Sequence, residues 1–182
     1  MNTATKNLEQ DHESILKLID VMEAMTTHTD PDIADYEEVV DLIRNFADGL
    51  HHAKEETLFF PLMAERGFSM KQGPIAMMLS EHEQGRNYVK RISENIRLLK
   101  ERDLSALNMI YRNMLGYCEL LRNHIAKENN VLFRMADNAL SEEDQQTLLT
   151  QFGQVENHGS SNHQKHDFIA RIEKLTQIYH PN

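Results

Sequence analysis

Cysteine and tryptophan are almost missing from this chain of 182 residues: Cys118 is the single cysteine, and there is no tryptophan. One thiol excludes an internal disulfide framework. Long apolar runs are missing too, since no stretch reaches the ~18 residues of a membrane helix, and the residues after Met1 lack the apolar core of a signal peptide. We therefore expect no membrane partner and a reducing, cytoplasmic compartment.

Runs of lysine and arginine are also absent. The 19 basic and 29 acidic residues give a net charge of −10, whereas nucleic acid binding requires clustered basic side chains. This balance excludes nucleic acid as a partner. Glycine (7) and proline (4) are scarce and form no linker. We therefore expect one domain over residues 1–182, which is long enough to bury a sizeable core.

Two segments nearly repeat each other, HHAKEETLFF from His51 and HIAKENNVLF from His124. Each copy places its histidine four residues before a glutamate, Glu55 in the first and Glu128 in the second. On a helix this spacing puts an imidazole and a carboxylate on one face, a turn apart. Such a pair is a candidate pair of metal ligands.

A further histidine precedes each copy at a similar interval, His12 by 39 residues and His82 by 42. One pair alone would be weak evidence, because such pairs are often exposed ion pairs. Two matching copies with two matching histidines are not readily produced by chance. Burying these groups without partners would cost several kcal/mol, which metal coordination offsets. The pattern favours a metal centre over a structural polar core.

Apolar residues in steps of three and four predict four amphipathic helices, with all six candidate ligands on the apolar stripes. Breakers at residues 29–32, 66–74 and 102–103 separate these helices. Short connections make neighbouring helices antiparallel. We therefore predict an all-α fold, an up-down-up-down four-helix bundle over about residues 7–138, with the candidate ligands brought together at one end.

The number and type of ligands indicate which metal they bind. Six nitrogen and oxygen ligands exceed the four of a closed zinc site, so zinc fits less well. Two iron ions bridged by Glu55 and Glu128 would use all six. Ferritin-like di-iron bundles use more carboxylates. The nitrogen-rich set predicted here favours binding of a small diatomic molecule or peroxide over oxidation of C–H bonds.

These six residues resemble the hemerythrin-like, or HHE cation-binding, family. The phrases GPI from Gly73, EHEQGR from Glu81 and KENNVLF from Lys127 are similar to its bacterial cytosolic branch. The resemblance implies a non-haem di-iron centre, bridged by two carboxylates and an oxo or hydroxo group, that binds O2, NO or peroxide. Roles in the family include oxygen binding, sensing, catalase-like removal of peroxide, handling of nitric oxide, and iron supply to damaged iron–sulfur proteins.

The resemblance leaves a fifth nitrogen ligand to be identified. The oxygen carriers have two histidines a turn apart on the third helix, whereas the positions four residues from His82 hold Met78 and Arg86. The segment 139–182 is predicted to form one or two extra helices. It carries His163, which resembles a histidine of the bacterial branch and is our candidate for this ligand.

Two other histidines stay open as the fifth ligand. His52 follows His51 but lies about 100° further round an α-helix, where it would reach the edge of the site or pair with Glu56 at the surface. His28 lies in the first loop, toward the other end of the bundle.

The expected function is binding or turnover of a small ligand, with a sensing, oxygen-binding or catalase-like role in oxidative stress. Whether the chain is an enzyme stays open at this point. The alternatives are an iron store or repair donor for iron–sulfur proteins, and a metal-stabilised module that binds an unidentified protein partner.

Overall fold

The computed structural model describes residues 3–28, 31–157 and 165–180, and every regular element within these ranges is a helix. The all-α prediction is confirmed for this part of the chain. The elements are α1 (Ala4–Thr27), α2 (Ile33–Leu42), π1 (Ile43–His52), π2 (Glu55–Phe59), α3 (Phe60–Glu65), α4 (Gly73–Lys100), α5 (Ala106–Lys127), π3 (Glu128–Leu132), α6 (Phe133–Ala139), α7 (Glu142–Asn157) and α8 (Lys165–Tyr179). None of these helices is long and apolar enough to cross a membrane.

Capping side chains fix where several of these helices begin. The side-chain oxygens of Thr3 and Asp32 accept backbone N–H groups at the starts of α1 and α2. Before α7, the hydroxyl of Ser141 accepts the N–H of Asp144, whose carboxylate accepts the N–H of Ser141. This reciprocal pair is a capping box, and it fixes the start of the first of the extra helices predicted in segment 139–182.

Two long helices change their winding at the predicted ligands. Residues 33–65 (α2, π1, π2 and α3) form one unbroken helix, here called long helix 2, and residues 106–139 (α5, π3 and α6) form long helix 4. The N–H of Phe60 bonds to the carbonyl of Glu55, and the N–H of Phe133 bonds to that of Glu128. These bonds span five residues, as in a π-helix, a local form that is frequent at functional sites.

Where α1, α4 and the two long helices touch, later residues of one helix contact earlier residues of its neighbour. On α4, His82 meets His124 of long helix 4, while Tyr88, further along α4, lies against the earlier residue Gly116. The same reversal relates α4 to long helix 2 and α1 to long helix 4. Neighbouring long helices therefore run in opposite directions where these contacts are made.

The apolar interior forms two clusters, and the predicted ligands lie between them. Ile15 belongs to the larger cluster, whereas Leu8, Phe59 and Phe133 belong to the smaller one. On α1, His12 falls between Leu8 and Ile15, where the helix passes from one cluster to the other. The expectation that the ligands lie at the end of the bundle is thus corrected, because the smaller cluster covers them on the far side.

The C-terminal extension contributes two helices, α7 and α8. Leu148 and Phe152 of α7 pack in the smaller apolar cluster, while Phe168 and Ile172 of α8 pack in the larger one. The extension is thus part of the same interior as the long helices. The connection between α7 and α8, residues 158–164, lies outside the described residues.

Candidate metal centre

All six ligands predicted in the bundle are buried, with at most 2% of each side chain exposed. They come from α1, π1, π2, α4, α5 and π3, and they are His12, His51, Glu55, His82, His124 and Glu128. The predicted ligand His163 lies outside the described residues. The structure therefore brings six of the seven predicted residues into one internal layer.

The ligand atoms in this layer fall into two groups, within each of which they lie no more than 4.8 Å apart. Group 1 consists of His12, His51, Glu55 and Glu128. Group 2 consists of His52, Glu55, His82 and His124. Because Glu55 belongs to both groups, the arrangement offers two adjacent metal positions that share a carboxylate.

Each carboxylate reaches histidines of both groups. The distances are 3.6 Å from Glu55 Oε1 to His51 Nε2, 3.5 Å from Glu55 Oε2 to His82 Nε2, and 3.2 Å from Glu128 Oε2 to both His12 Nε2 and His124 Nε2. Both glutamates thus lie where a bridging carboxylate would lie between two cations.

Every histidine in the two groups turns its Nδ1 away from the centre, toward an oxygen acceptor. The pairs are His12–Asn129 (2.7 Å), His51–Asp11 (3.3 Å), His52–Asp48 (3.1 Å), His82–Glu56 (2.6 Å) and His124–Glu81 (3.0 Å). Because a carboxylate or an amide oxygen only accepts, Nδ1 carries the hydrogen in each pair, and in a ring with a single N–H the lone pair of Nε2 faces the interior. Metal-binding histidines are held in this way.

Four of these hydrogen bonds join the long helices in a closed ring. His12 links α1 to long helix 4, and His124 links long helix 4 to α4. His82 links α4 to long helix 2, and His51 links long helix 2 back to α1. The orientation of each imidazole is consequently set by a neighbouring helix.

The inward-facing atoms are poorly satisfied by the protein itself. Among the described residues, the buried atoms without a hydrogen-bond partner include Nε2 of His12 and His51 and both carboxylate oxygens of Glu55 and Glu128. Each buried polar atom left unpaired costs about 1–3 kcal/mol. In addition, Nε2 of His82 and Nε2 of His124 face each other at 3.2 Å. These donors fit metal ions, which would satisfy all of them together.

Burial shifts the pKa values of these groups strongly. Burial, together with nearby His12, lowers the pKa of His51 to about 3, and burial also lowers the pKa of His52. Burial and the Glu128 carboxylate raise the pKa of Glu55. His124 is the exception, since the Glu128 and Glu81 carboxylates outweigh burial and raise its pKa to about 9, so a metal would have to displace its proton. Large shifts of this kind are typical of functional sites.

Comparison with known proteins places the chain in a family. The family model described as the Hemerythrin HHE cation binding domain matches residues 3–136. The chain belongs to this family. The resemblance drawn from the sequence is thereby confirmed, and the two buried groups lie within the matched residues.

Curated relatives of this hemerythrin-family chain include iron-sulfur cluster repair proteins. YtfE of Escherichia coli O157:H7 is 31% identical over 88 residues, which are 47% of this chain and 40% of that protein. The YtfE proteins of Escherichia coli (strain K12 / DH10B) and Salmonella newport (strain SL254) are each 32% identical over 89 residues, with the same coverage. The match thus spans about two fifths of the length of these relatives. No solved structure gives a significant match.

Sequence periodicity left open whether His52 belongs to this hemerythrin-family site. It is 5% exposed, its ring stacks on His82 with centroids 3.8 Å apart, and it belongs to group 2. The alternative pairing of His52 with Glu56 is not formed, because Glu56 accepts from His82. His28 follows the C-terminal end of α1, contacts Tyr179, and belongs to neither group.

The acceptors of the Nδ1 hydrogens were also missed by the sequence reasoning. Asp11, Glu81 and Asn129 each lie next to a predicted ligand in sequence, which is a usable signal. The hydrogen bonds nevertheless cross between helices. Asp11 neighbours His12 in sequence but serves His51, so the pairing follows from packing.

A cavity of about 140 Å³ opens beside group 2. Its walls include Ile43, Gly85, Val89, Tyr117 and Leu121, and its inner end is formed by His52, His82 and His124. Cavities of about 150 Å³ bind molecules as large as benzene, so O2, NO and peroxide are small enough to enter this one. At its rim, Arg86 bonds to both Asp48 and Glu56 and thereby holds the acceptors of two group 2 histidines.

Proposed function

We propose that this chain is a non-haem di-iron protein that binds or turns over a small ligand such as O2, NO or peroxide. The proposed architecture is a single hemerythrin-like domain over residues 1–182. It comprises an up-down-up-down four-helix bundle over about residues 7–138 and a C-terminal extension over 139–182. We keep the cytoplasm as the proposed compartment, since the single thiol, Cys118, is buried and needs no oxidising environment.

Group 1 and group 2 would each hold one iron ion, with Glu55 and Glu128 shared between them. In this proposal His52 takes the role of fifth nitrogen ligand that the sequence reasoning gave to His163. Two bound iron ions would supply redox chemistry and open coordination positions for a small ligand.

The observation that carries the proposal is the set of buried inward atoms without protein partners, at two adjacent positions with shared carboxylates. A single zinc ion would leave half of this set unused, because a closed zinc site takes four ligands. Eight ligand positions, counting Glu55 in both groups, are better matched by two iron ions.

The protein's own groups prepare this site in two ways. The Nδ1 acceptors orient the imidazoles and increase their strength as donors. The apolar clusters on both sides exclude water, which strengthens electrostatic interactions inside. The cavity beside group 2 is large enough for O2, NO or peroxide to reach the group 2 histidines.

A role in iron–sulfur cluster repair is the second candidate. It is favoured by the 31–32% identity to the YtfE proteins over 88 or 89 residues. Because the match covers 40% of each of these relatives, their activity is a proposal for this chain. In such a role the site would release iron to a protein partner.

Iron content and the electronic spectrum of the purified protein test the leading proposal. After expression in iron-rich medium we expect about two iron ions per chain and near-ultraviolet absorption of a bridged ferric pair that changes on adding azide. One metal per chain, or zinc alone at full occupancy, would overturn the di-iron assignment. Reactivation of a damaged iron–sulfur protein by the loaded chain, without a reaction with peroxide or NO, would favour the second candidate.

A further inference from the structure

A fully buried lysine lies directly behind group 1. Lys54 has no exposed surface, and its ammonium group donates to Asn7 (2.9 Å), Asp11 (2.5 Å) and Glu156 (2.9 Å). A buried charge is strongly destabilising unless it is paired. Its three hydrogen bonds satisfy Lys54, and one of its two acidic partners belongs to α7.

A second lysine reaches the same carboxylate from α8. Lys165 Nζ lies 2.5 Å from Asp11 Oδ1, while Lys54 Nζ lies 2.5 Å from Asp11 Oδ2. Lys165 also lies 3.6 Å from Glu156. These four residues, Asp11, Lys54, Glu156 and Lys165, are called the Asp11 cluster below. Half of the cluster comes from the C-terminal extension.

Asp11 is also the acceptor for Nδ1 of His51, and this bond is the longest of the five at 3.3 Å. The other four range from 2.6 to 3.1 Å. Lys54 thus shares Oδ2 of Asp11 with His51, while Lys165 lies against the other oxygen and attracts the same carboxylate. A weaker hydrogen bond to a carboxylate makes an imidazole a weaker donor to a metal.

We propose that the C-terminal extension sets how tightly the group 1 metal is held, through the Asp11 cluster. This inference rests on the proposed metal site and deepens it. Lys165 draws the Asp11 carboxylate away from His51 and adds positive charge near group 1, whereas Glu156 offsets that charge. The metal at group 1 is then the more labile of the two, and Lys165 and Glu156 act on it as positioning residues.

The two residues of the extension should have opposite effects. Lys165→Met removes a competing cation, so Asp11 serves His51 better and the group 1 metal leaves more slowly. Glu156→Gln removes the offsetting charge, so both lysines bind Asp11 more strongly and the metal leaves faster. A purely structural role would instead loosen the site in both variants.

The test uses the full-length, iron-loaded protein and an excess of an iron chelator. We expect release in two phases, with the faster phase from group 1. Lys165→Met should slow that phase by about threefold and Glu156→Gln should accelerate it by about threefold, less than the ~10-fold typical of removing a direct partner of a ligand. The midpoint potential should fall in the first variant and rise in the second.

Exposed residues on the same helices provide matched controls. Lys174→Met on α8 and Glu142→Gln on α7 remove the same charges at exposed positions, and both should leave release and potential unchanged. Lys165→Arg keeps the positive charge and should leave the release rate close to that of the unaltered protein. Urea unfolding of each variant identifies any general loss of stability.

Two outcomes would overturn the inference: faster release in both cluster variants, or no difference between them and their controls. Failure of the proposed function is recognised separately. If the unaltered protein carries no metal, the metal site itself is refuted. If it carries two metals that no cluster variant affects, only the role of the extension is refuted.

Discussion

Each imidazole of the centre has its Nδ1 held by an oxygen acceptor, and its Nε2 would bind the proposed metal. The acceptors differ in how firmly they are anchored. Glu56, the acceptor for His82, is also fixed by Arg86 (2.7 Å), and its bond to His82 is the shortest of the five at 2.6 Å. Both neighbours, Nδ1 of His82 and Arg86, lower the pKa of Glu56, which keeps this acceptor ionised.

Replacing this acceptor should weaken metal binding without removing a ligand. We expect Glu56→Gln to reduce the affinity of group 2 for iron by about 10-fold or more, because a neutral amide orients His82 less well and increases its donor strength less. Competition with a chelator measures the change. Glu119→Gln, at an exposed position on α5, is the control, and equal affinities in the two variants would contradict a role for Glu56.

His52 permits a test of which histidine completes group 2. With His52→Ala, group 2 loses one of three nitrogens, so iron should fall from about two ions per chain to about one. His28→Ala removes a histidine that belongs to neither group and should leave the content at about two. Full iron content in the His52 variant would return the role of fifth ligand to His163.

The sequence predicted the residues of the centre better than their partners. His51 and Glu55 could be assigned because a spacing of four places two side chains on the same face of a helix. His52 could not, because the α-helical period separates it by about 100° from His51, and the apolar pattern does not record the π1 winding. Glu81 is adjacent to His82 but serves His124, so its role depends on how two helices pack.

At the scale of the helical elements, the π segments are the feature that places the ligands. Gly49 lies within π1, and a Cβ atom added there would be 2.8 Å from the carbonyl oxygen of Arg44, closer than real Cβ contacts. Gly153 lies within α7 and has nothing within 4 Å of such an atom. The two glycines therefore form a matched pair, one required by the winding and one replaceable.

Gly49→Ala and Gly153→Ala should change stability in opposite directions. The first must displace the backbone that leads to His51 and should lower the free energy of unfolding by more than about 1 kcal/mol. The second should raise it by roughly 0.5–1 kcal/mol, since alanine suits a helix better than glycine. Urea unfolding of the two variants compares them. Stabilisation by Gly49→Ala would show that π1 can rewind without cost.

The helix boundaries were predictable because they depend on local residues. Pro31 and Gly67 fall in the connections that were predicted, and the structure ends α1 at Thr27 and long helix 2 at Glu65. The C-terminal helices are a different case. Their packing into both apolar clusters follows from distant contacts, which no local pattern contains.

For the whole molecule, the polar layer between two apolar clusters makes metal binding part of folding stability. A ligand that binds only the folded state at a thousandfold excess over its Kd adds about 4 kcal/mol. For a domain of this size that corresponds to a rise in Tm of roughly 10 °C. Removing iron with a chelator should therefore lower Tm by about this amount, as differential scanning calorimetry would measure. An unchanged Tm would mean that the metal-free layer is already satisfied, contrary to its unpaired atoms.

The closed ring of hydrogen bonds has a consequence for the order of events during folding. Its four bonds connect residues 117, 43, 26 and 40 positions apart in the chain. Contacts between distant residues form late, after helices and nearby pairs, because the chain must first lose the entropy of its loops. The centre is thus assembled only when all four helices have met, so metal added during refolding should stabilise the product without increasing the rate at which it forms.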